Sequence, residues 1–550
     1  MIQRTYGERD PVDFVVVGSG AAGGVLASEL ATAGFEVVVL EQGPWQQPAQ
    51  FTHDELAVER QLAMLNRAFE PAQTFRTTET EPSGSHPTAR GLLYRRAVGG
   101  SSVHFAANYW RFRPIDFTER SVWGPIGGTG FADWPLTYQE MEPYYTRVEW
   151  EIGVSGAPGP FDPPRSRPYP MPPLPNKSSG VLLEHAAGAL GLHAQVAPMA
   201  IVSQPYQGRA ACGACGKCSY YGCEFGAKSS ALVTVIPKAL ATGRCEVRAE
   251  STVFRVETNP RGRATGVVYW DGKGRERRQA ARAVVVAANG AETTRLLLLS
   301  ESAAFPHGLA NSSGTVGRYI MFNGYAYTNG RFEHPLNEYQ GAVASRVVLD
   351  FYDADPGRGF YGGGGIDARF PSGPIAFALE GLPADLPKWG SEYTRALRDY
   401  YTHTTRFMSH LTSLPVAANR VTLDPDHRDR FGRPGLSLTY QDHPDDMKTK
   451  QWFRDRTQEL MEAAGATRVW NQPVLPVDGG VHLLGTARMG NDPRDSVVDR
   501  YHRAHDVPNL FICDGSSFVT SGRGQPTMTI QALAFRAAEH IARLARSHAL

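Results

Sequence analysis

Residues 12–41 read VDFVVVGSGAAGGVLASELATAGFEVVVLE, and this stretch decides the fold. Val12–Val17 is a β-branched apolar run typical of a buried parallel strand, and the pattern G-x-G-x-x-G follows at once over residues 18–23. A helix is predicted from Ala21 to Ala33, with a second strand over Val37–Leu40. Strand, glycine loop, helix and second strand together predict a dinucleotide-binding unit.

The residues of this unit have separate predicted roles. Gly18 permits the tight turn, Gly20 lets a pyrophosphate approach the backbone, and Gly23 lets the helix lie close to the strand. The helix N-terminus, which includes Ala22, directs its amides at the phosphates. Glu41 ends the second strand, where a carboxylate can accept hydrogen bonds from ribose hydroxyls. At this point FAD and NAD both remain open, and the alternative is a glycine-rich turn that binds no nucleotide.

Length and composition limit the classes of function. The chain has 550 residues, which is too long for one hydrophobic core and predicts two large domains. Its formal net charge of +1 gives no electrostatic case for nucleic acid or an acidic membrane, so a neutral small molecule is the expected partner. No uninterrupted apolar run is long enough to span a bilayer, and we expect a soluble, cytoplasmic protein.

A second glycine-rich turn, VGGSS, occupies residues 98–102. Two glycines followed by two hydroxyls make a nest of backbone amides that can lie against an anion or a flat polar ring. Together with the first motif, this turn resembles the glucose/methanol/choline (GMC) family of FAD-dependent alcohol oxidoreductases. The resemblance extends to residues 287–297, although Thr294 stands where the family usually has proline. It favours FAD over NAD as the cofactor.

The fold class that the resemblance implies is α/β, or α+β overall. It combines a Rossmann-like FAD-binding domain with a discontinuous substrate domain built on an antiparallel sheet. Short alternating runs within residues 245–286 independently predict hairpin strands, and the proline-dense span 156–175 predicts an extended surface connection. We assign the FAD-binding domain to residues 1–115, 195–322 and 471–550, the connection with substrate-domain elements to 116–194, and the substrate domain to 323–470.

The C-terminal region contains the candidate active-site motifs. His482 begins H-x-x-G-T-x-x-M-G and matches the family's catalytic histidine. Oxidation of an alcohol by a flavin needs a base for the hydroxyl proton while the hydride leaves to flavin N5, and imidazole has a suitable pKa near neutrality. We therefore predict that His482 is the base. The alternative is a histidine with a purely structural role.

Gln525 departs from the family, which usually has histidine or asparagine ahead of P-T-x-T. An amide can orient the substrate oxygen but cannot act as a base, so His482 would be the sole base. The alternative is that Gln525 only fixes its own loop. A helix is predicted from Thr527 to Arg543, with Pro526 at its start. Its positive end would stabilise the negative charge that arrives with the hydride, although simple core packing also explains the helix.

The resemblance also implies which residues contact the cofactor. Asp514 matches the family's aspartate on the ribityl chain. His104 matches the position at which some members, pyranose oxidases among them, bond a histidine covalently to the flavin, and here we predict a contact with the flavin. The predicted cofactor residues are Gly18, Gly20, Ala22, Gly23, Glu41, Gly99, Gly100, Ser101, Ser102, His104, Gly290, Asp514, Gly515, Pro526 and Thr527.

Four of the six cysteines lie close together as C-x2-C-x2-C-x4-C, at Cys212, Cys215, Cys218 and Cys223. Thiolates at two-residue intervals can converge on a metal cluster, and this run is similar to the ferredoxin pattern, with one more residue at its end and no proline. We predict these four residues as candidate ligands of an iron–sulfur cluster. A structural disulfide, zinc or free thiols are the alternatives. Six cysteines are too few for a disulfide scaffold.

The motifs resemble most closely those of pyranose oxidases and bacterial FAD sugar or aminoglycoside dehydrogenases within this family. This resemblance implies FAD-dependent oxidation of an alcohol group of a sugar, glycoside or aminoglycoside-type substrate. The second partner is an electron acceptor, either oxygen or a redox partner. A long-chain or sterol alcohol oxidase is the rival within the enzyme class. A flavoprotein without redox turnover, similar to the hydroxynitrile lyases of the same family, is the rival from another class.

Overall fold

The computed structural model describes residues 4–8, 10–58, 73–86, 91–370, 373–477 and 479–550. The strands are β1 Val12–Val17, β2 Val37–Leu40, β3 Gln73–Arg76, β4 Gly91–Leu92, β5 Ala194–Val196, β6 Cys245–Arg248, β7 Thr252–Thr258, β8 Ala264–Trp270, β9 Glu276–Val286, β10 Tyr325–Arg331, β11 Arg346–Val348, β12 Gly364–Arg369, β13 Thr404–Leu411, β14 Arg420–Arg428, β15 Pro434–Thr439, β16 Arg468–Asn471, β17 Gly479–Gly480 and β18 Leu510–Ile512. The α-helices are α1 Ala21–Thr32, α2 Glu119–Trp123, α3 Tyr138–Val148, α4 Ser178–Ala189, α5 Val235–Ala241, α6 Asn289–Leu299, α7 Pro374–Glu380, α8 Gly390–His403, α9 Pro444–Ala463 and α10 Pro526–Arg546.

The first large sheet has seven strands in the order β6-β2-β1-β9-β8-β7, and β18 also pairs with β9. β1 pairs in parallel with β2 on one side and with β9 on the other. It is buried almost completely because its side chains are apolar on both faces of the sheet. Helix α1 begins at Ala21, directly after the glycine loop. The predicted Rossmann-like unit is therefore confirmed.

The second large sheet has six strands in the order β16-β10-β13-β12-β11-β5, and every pairing in it is antiparallel. Helix α9 packs on this sheet through a shared apolar core that includes Phe407 and Leu411 from β13 and Phe453 and Leu460 from the helix. The predicted combination of a Rossmann-like domain with an antiparallel substrate sheet is confirmed.

Several local predictions agree with the structure. The hairpin strands predicted within residues 245–286 are β7, β8 and the first part of β9. Residues 156–175 contain no helix and no named strand, as their proline content predicts. Helix α10 begins at Pro526 and continues to Arg546, beyond the predicted end at Arg543. None of the helices within the described residues has the length and apolarity needed to cross a bilayer.

Candidate active site

The first glycine loop leaves an open space at its centre. Gly18 has a φ of 94°, and a Cβ there would lie 2.5 Å from the carbonyl oxygen of Ala287. A Cβ on Gly23 would overlap the carbonyl oxygen of Gly18, so the helix can lie this close only with glycine. Among the described residues, a Cβ on Gly20 would instead meet only the Cα of Gly100, at 3.9 Å. The space in front of Gly20 therefore fits a pyrophosphate.

The second glycine turn packs directly on the first. The Gly99 amide donates to Ser19 Oγ at 3.1 Å, and a Cβ on Gly100 would lie 2.8 Å from the Cα of Gly20. Ser102 Oγ donates to the Gly99 carbonyl at 2.6 Å and so holds the turn closed. Ser101 is exposed at its surface, where its Oγ accepts a hydrogen bond from the Arg95 amide. The tertiary fold thus brings the two predicted motifs to one place.

Glu41 lies buried at the end of β2, beside the loop. Its carboxylate accepts hydrogen bonds from the Ser19 amide at 3.1 Å, from Ser19 Oγ at 2.8 Å and from the Gly43 amide at 2.9 Å. Burial raises the pKa of Glu41, although these hydrogen bonds oppose that rise. A carboxylate has about four acceptor positions, so capacity for a ribose hydroxyl remains.

Asp514 joins β18 to the start of helix α6. Its carboxylate accepts from the Asn289 amide at 3.0 Å, from Thr293 Oγ1 at 2.6 Å and from the Ser516 amide at 2.7 Å. Beside it, a Cβ on Gly290 or on Gly515 would lie 2.5 Å or 2.8 Å from the Leu483 carbonyl oxygen. These two glycines therefore let the segment that carries His482 approach the first sheet closely.

His482 is held by the substrate sheet. Its Nδ1 lies 2.7 Å from Asn323 Oδ1 and 3.3 Å from the Tyr325 hydroxyl. The Asn323 side-chain amide donates to the carbonyl oxygens of Leu411 and Gly522, so its Oδ1 must face the imidazole. His482 therefore carries its proton on Nδ1, and Nε2 is left as the acceptor that a general base needs.

The electrostatics of His482 correct one expectation from the sequence. Burial is the largest cause that lowers the pKa of His482, to about 3. The sequence-based reasoning relied on an imidazole pKa near neutrality, and that premise is wrong in this environment. The imidazole is instead neutral, and able to accept a proton, at every pH well above 3.

Gln525 immediately precedes helix α10, but its side chain does not cap that helix. Its amide nitrogen instead lies 2.8 Å from Nδ1 of His410, at the end of β13. The other ring nitrogen of His410 lies 2.9 Å from Asp367 Oδ2 on the neighbouring strand β12. Both His410 and Asp367 are buried almost completely. The structure thus adds a second histidine to the site.

Asp367 is the charged end of this arrangement. Arg369 and Asn108 also donate to its carboxylate, the amide of Asn108 at 2.9 Å. Burial disfavours the charged form of Asp367, but the charge of Arg369 and the hydrogen bonds from Arg369 and His410 outweigh it and lower the pKa of the carboxyl. Burial is the largest influence on His410 and lowers its pKa in spite of Asp367. Asp367 is therefore an anion beside a neutral imidazole.

Sequence reasoning missed His410, Asp367, Asn323 and Tyr325. His410 and Tyr325 are direct cross-strand partners in the β10–β13 pairing, and Gly365 opposes His410 on the other side. The alternation of strands could have placed such residues on one face of a sheet, but it gives no register between distant strands. The indole of Trp110 packs edge-on against His410, at 5.4 Å between ring centroids.

His104 follows the second glycine turn and is half-buried. Its Nδ1 is buried and has no hydrogen-bond partner among the described residues, which fits a contact with a further group such as a flavin. Burial, followed by the charges of Arg95 and Lys228, lowers its pKa to about 3, so the ring is neutral. The buried ammonium of Lys228 donates to the carbonyl oxygens of Phe105, Cys218 and Tyr221, and so ties the cysteine loop to this turn.

The four clustered cysteines line one small cavity with Lys228 and are free thiols. Within the described ranges, no three His, Cys, Asp or Glu side chains are placed to hold a metal ion. The structure therefore gives the predicted iron–sulfur cluster no support, and no disulfide joins these four cysteines. Burial raises the pKa of the Cys218 thiol to about 12, which keeps it protonated. Cys245 and Cys513 are buried thiols.

A Rossmann-like sheet with an open phosphate loop, beside a substrate sheet that orients a neutral histidine, is the arrangement of a nucleotide-dependent oxidoreductase. Residues 12–318 and 415–534 match the N-terminal and C-terminal domains of the GMC oxidoreductase family. The chain therefore belongs to the GMC oxidoreductase family, and it is an alcohol oxidoreductase of the FAD-dependent type.

Individual relatives are similar over nearly their whole length. The chain is 35% identical to 2-methyl-1,2-propanediol dehydrogenase of Mycolicibacterium austroafricanum, with 97% of this chain and 96% of that protein covered. It is 30% identical to the fructose dehydrogenase large subunit of Gluconobacter japonicus, with 96% of this chain and 97% of that protein covered. It is 29% identical to paromamine 6'-oxidase of Streptomyces fradiae, with 96% of this chain and 91% of that protein covered.

Solved structures agree on the fold. The R554A variant of formate oxidase from Aspergillus oryzae superposes with a TM-score of 0.65 at 15% identity, covering 98% of this chain and 100% of that one. Pyridoxine 4-oxidase from Mesorbium loti superposes with a TM-score of 0.64 at 18% identity, covering 98% and 99%. At these identities the likeness establishes the architecture alone.

Proposed function

We propose that this protein oxidises an alcohol group of a sugar, glycoside, aminoglycoside or small diol, with His482 as the base. The observation that carries the proposal is the hydrogen bond of 2.7 Å between His482 Nδ1 and Asn323 Oδ1. It fixes the proton on Nδ1 and leaves Nε2 as an acceptor for the hydroxyl proton. FAD, when bound, supplies the acceptor for the hydride that leaves the carbon.

The cofactor residues of the proposal are those that the two glycine motifs and the C-terminal motifs bring together. Gly18, Gly20, Ala22 and Gly23 would hold the pyrophosphate with the first turn of α1, and Glu41 would bind the ribose. The flavin would lie against the second glycine turn and the histidine after it, which are Gly99, Gly100, Ser101, Ser102 and His104. It would also contact residues of the later motifs, which are Gly290, Asp514, Gly515, Pro526 and Thr527. The first turn of α10 would stabilise negative charge on the flavin.

The substrate range follows from the relatives. Their names include a diol dehydrogenase, a fructose dehydrogenase and a paromamine oxidase, all of which act on small polar molecules with several hydroxyl or amino groups. Two of these names are dehydrogenases and one is an oxidase, so the electron acceptor of this chain is either a redox partner or oxygen. No observation in the site favours a sterol or a cyanohydrin.

Anaerobic flavin reduction tests this function. Purified protein would be mixed with 2-methylpropane-1,2-diol, D-fructose, D-gluconate or paromamine in the absence of oxygen, and the absorbance of the oxidised flavin followed. We expect at least one of these compounds to bleach it, and a His482→Ala variant with the same flavin content to respond far more slowly. A flavin that stays oxidised with every compound would contradict the proposal. Cleavage of a cyanohydrin without bleaching would favour the lyase alternative.

A further inference from the structure

Gln525, His410 and Asp367 form a continuous hydrogen-bonded chain that begins at the candidate active site and ends in the substrate sheet. The amide nitrogen of Gln525 lies 2.8 Å from His410 Nδ1, and His410 Nε2 lies 2.9 Å from Asp367 Oδ2. Gln525 is half-buried, whereas His410 and Asp367 are buried almost completely. The family resemblance did not include His410 or Asp367, and the base His482 does not account for them.

The charge on Asp367 decides which ring nitrogen of His410 carries the proton. A buried carboxylate is a stronger acceptor than an imidazole nitrogen, so Nε2 of His410 donates to Asp367. Arg369 Nη2 also lies 2.8 Å from His410 Nε2. A guanidinium can only donate, and this one donates to the Asp367 carboxylate, so it does not need Nε2 as an acceptor. His410 Nδ1 must then accept a hydrogen bond, and only the N–H side of the Gln525 amide can give it.

This tautomer fixes the direction of the Gln525 amide. Because one N–H is used by His410, the carbonyl oxygen and the second N–H remain for a ligand. Tyr325 links the two halves of the site: its ring lies 5.7 Å from that of His410, and its hydroxyl lies 3.3 Å from His482 Nδ1. The site therefore presents two acceptors, His482 Nε2 and the Gln525 carbonyl oxygen.

A substrate with a single hydroxyl has one proton to donate, and it would give that proton to His482. We propose that His410, held by Asp367, is a positioning residue that directs the Gln525 carbonyl oxygen toward the substrate, where it accepts a hydrogen bond from a second hydroxyl beside the one being oxidised. The inference rests on the proposed function and narrows its substrate class to compounds with neighbouring hydroxyls. An alcohol without the second hydroxyl would leave the Gln525 carbonyl oxygen without a hydrogen bond, and this cost would select against such alcohols.

The first test needs no substrate. Holoenzyme labelled with nitrogen-15 in its histidine rings would be studied by NMR, in which the ring nitrogen shifts distinguish the two neutral tautomers. The His410 signals would be identified by their loss in a His410→Phe variant, which keeps an aromatic ring against Trp110 and Tyr325. We expect a neutral His410 with its proton on Nε2. A proton on Nδ1, or a positively charged ring at neutral pH, would overturn the positioning role.

The second test measures specificity. The rate of flavin reduction divided by the substrate dissociation constant would be compared for 2-methylpropane-1,2-diol and 2-methylpropan-1-ol, which lacks the second hydroxyl. We expect the parent enzyme to prefer the diol, and His410→Phe and Gln525→Leu each to reduce that preference roughly ten-fold, the loss of about one hydrogen bond. The double variant should lose no more than Gln525→Leu alone, because His410 acts through Gln525.

Two outcomes of this second test oppose the proposal. A diol preference that survives His410→Phe, or additive losses in the double variant, would show that His410 does not act through Gln525. His427→Phe, a half-exposed histidine on β14, is the matched control and should leave the preference unchanged. If neither alcohol reduces the flavin of the parent enzyme, the diol substrate class is wrong, and the tautomer measurement still decides whether His410 positions Gln525.

Discussion

Asn323 Oδ1 lies 2.7 Å from Nδ1 of His482, and this contact sets the protonation state of the candidate base. Asn323 comes from the segment leading into β10, whereas His482 comes from a segment that packs closely on Gly290 of α6 and on Gly515 after β18. The base is therefore assembled from both domains. Its free Nε2 depends on the orientation of an amide that is itself held by two backbone carbonyls.

Removal of the two candidate side chains should have unequal effects. His482→Ala should leave FAD bound but slow flavin reduction by roughly two to four orders of magnitude, the usual range for a positioned base. Gln525→Ala should cost less, because it removes hydrogen bonds of about 1–3 kcal/mol and no proton acceptor. Stopped-flow reduction of both variants, normalised to flavin content, measures this. The assignment fails if His482→Ala reduces its flavin at nearly the parental rate.

The pH dependence of flavin reduction should show no loss of the base near neutrality. The pKa of His482 is lowered to about 3, and only the protonated form is unable to accept the hydroxyl proton. Between about pH 5 and pH 9 the base is therefore neutral and active, and the rate falls only as the pH approaches 3. Stopped-flow reduction across this range tests it. A midpoint near the ordinary histidine pKa would contradict the buried environment described for His482.

Gly20→Val should abolish flavin binding without unfolding the protein. The valine methyls would enter the open space in front of Gly20, which fits the pyrophosphate and contains only the Cα of Gly100 within 4 Å. The flavin absorbance per protein and the circular dichroism spectrum would be recorded together. Gly127→Val is the matched control, since a Cβ there meets no atom of the described residues within 4 Å. Full flavin content in Gly20→Val would argue against this loop as the pyrophosphate site.

Arg523 should be essential for stability. It is fully buried next to the Gln525 loop, donates to Asp116 at 2.7 Å and also pairs with Glu119. Arg523→Met would leave two buried carboxylates without their cation, which should lower the free energy of unfolding by about 3–5 kcal/mol. Denaturant unfolding measures the loss. Arg494→Met removes an exposed pair with Asp492 and should cause no measurable change, and equal effects of the two substitutions would refute the prediction.

His104 offers a test of how the flavin is attached. The side chain is a neutral ring with a buried Nδ1 that has no partner in the part of the chain that the structure describes, which fits a contact with the flavin. Since some family members carry a histidine here without the bond, we expect acid denaturation to release the flavin into the supernatant. Flavin that stays with the precipitated protein, and is released once His104→Ala is introduced, would show a covalent bond instead.

The sequence by itself determined the elements whose structure depends on neighbouring residues. The phosphate loop is one such element. Gly18 permits a tight turn, Gly20 leaves room for a ligand and Gly23 lets α1 pack closely on β1, all within thirty residues of chain. The start of α10 at Pro526 is another, since proline suits the first turn of a helix. His482 could be proposed as the base from its motif, although its pKa could not.

Only the tertiary structure decided what surrounds the base. His410 lies 115 residues before Gln525 and 43 residues after Asp367, and these contacts depend on the register of β10, β12 and β13. Strand alternation predicts which side chains share a face but not which distant strand lies opposite. The lowered pKa of His482 likewise comes from burial between two domains, and burial is a property of the folded chain as a whole.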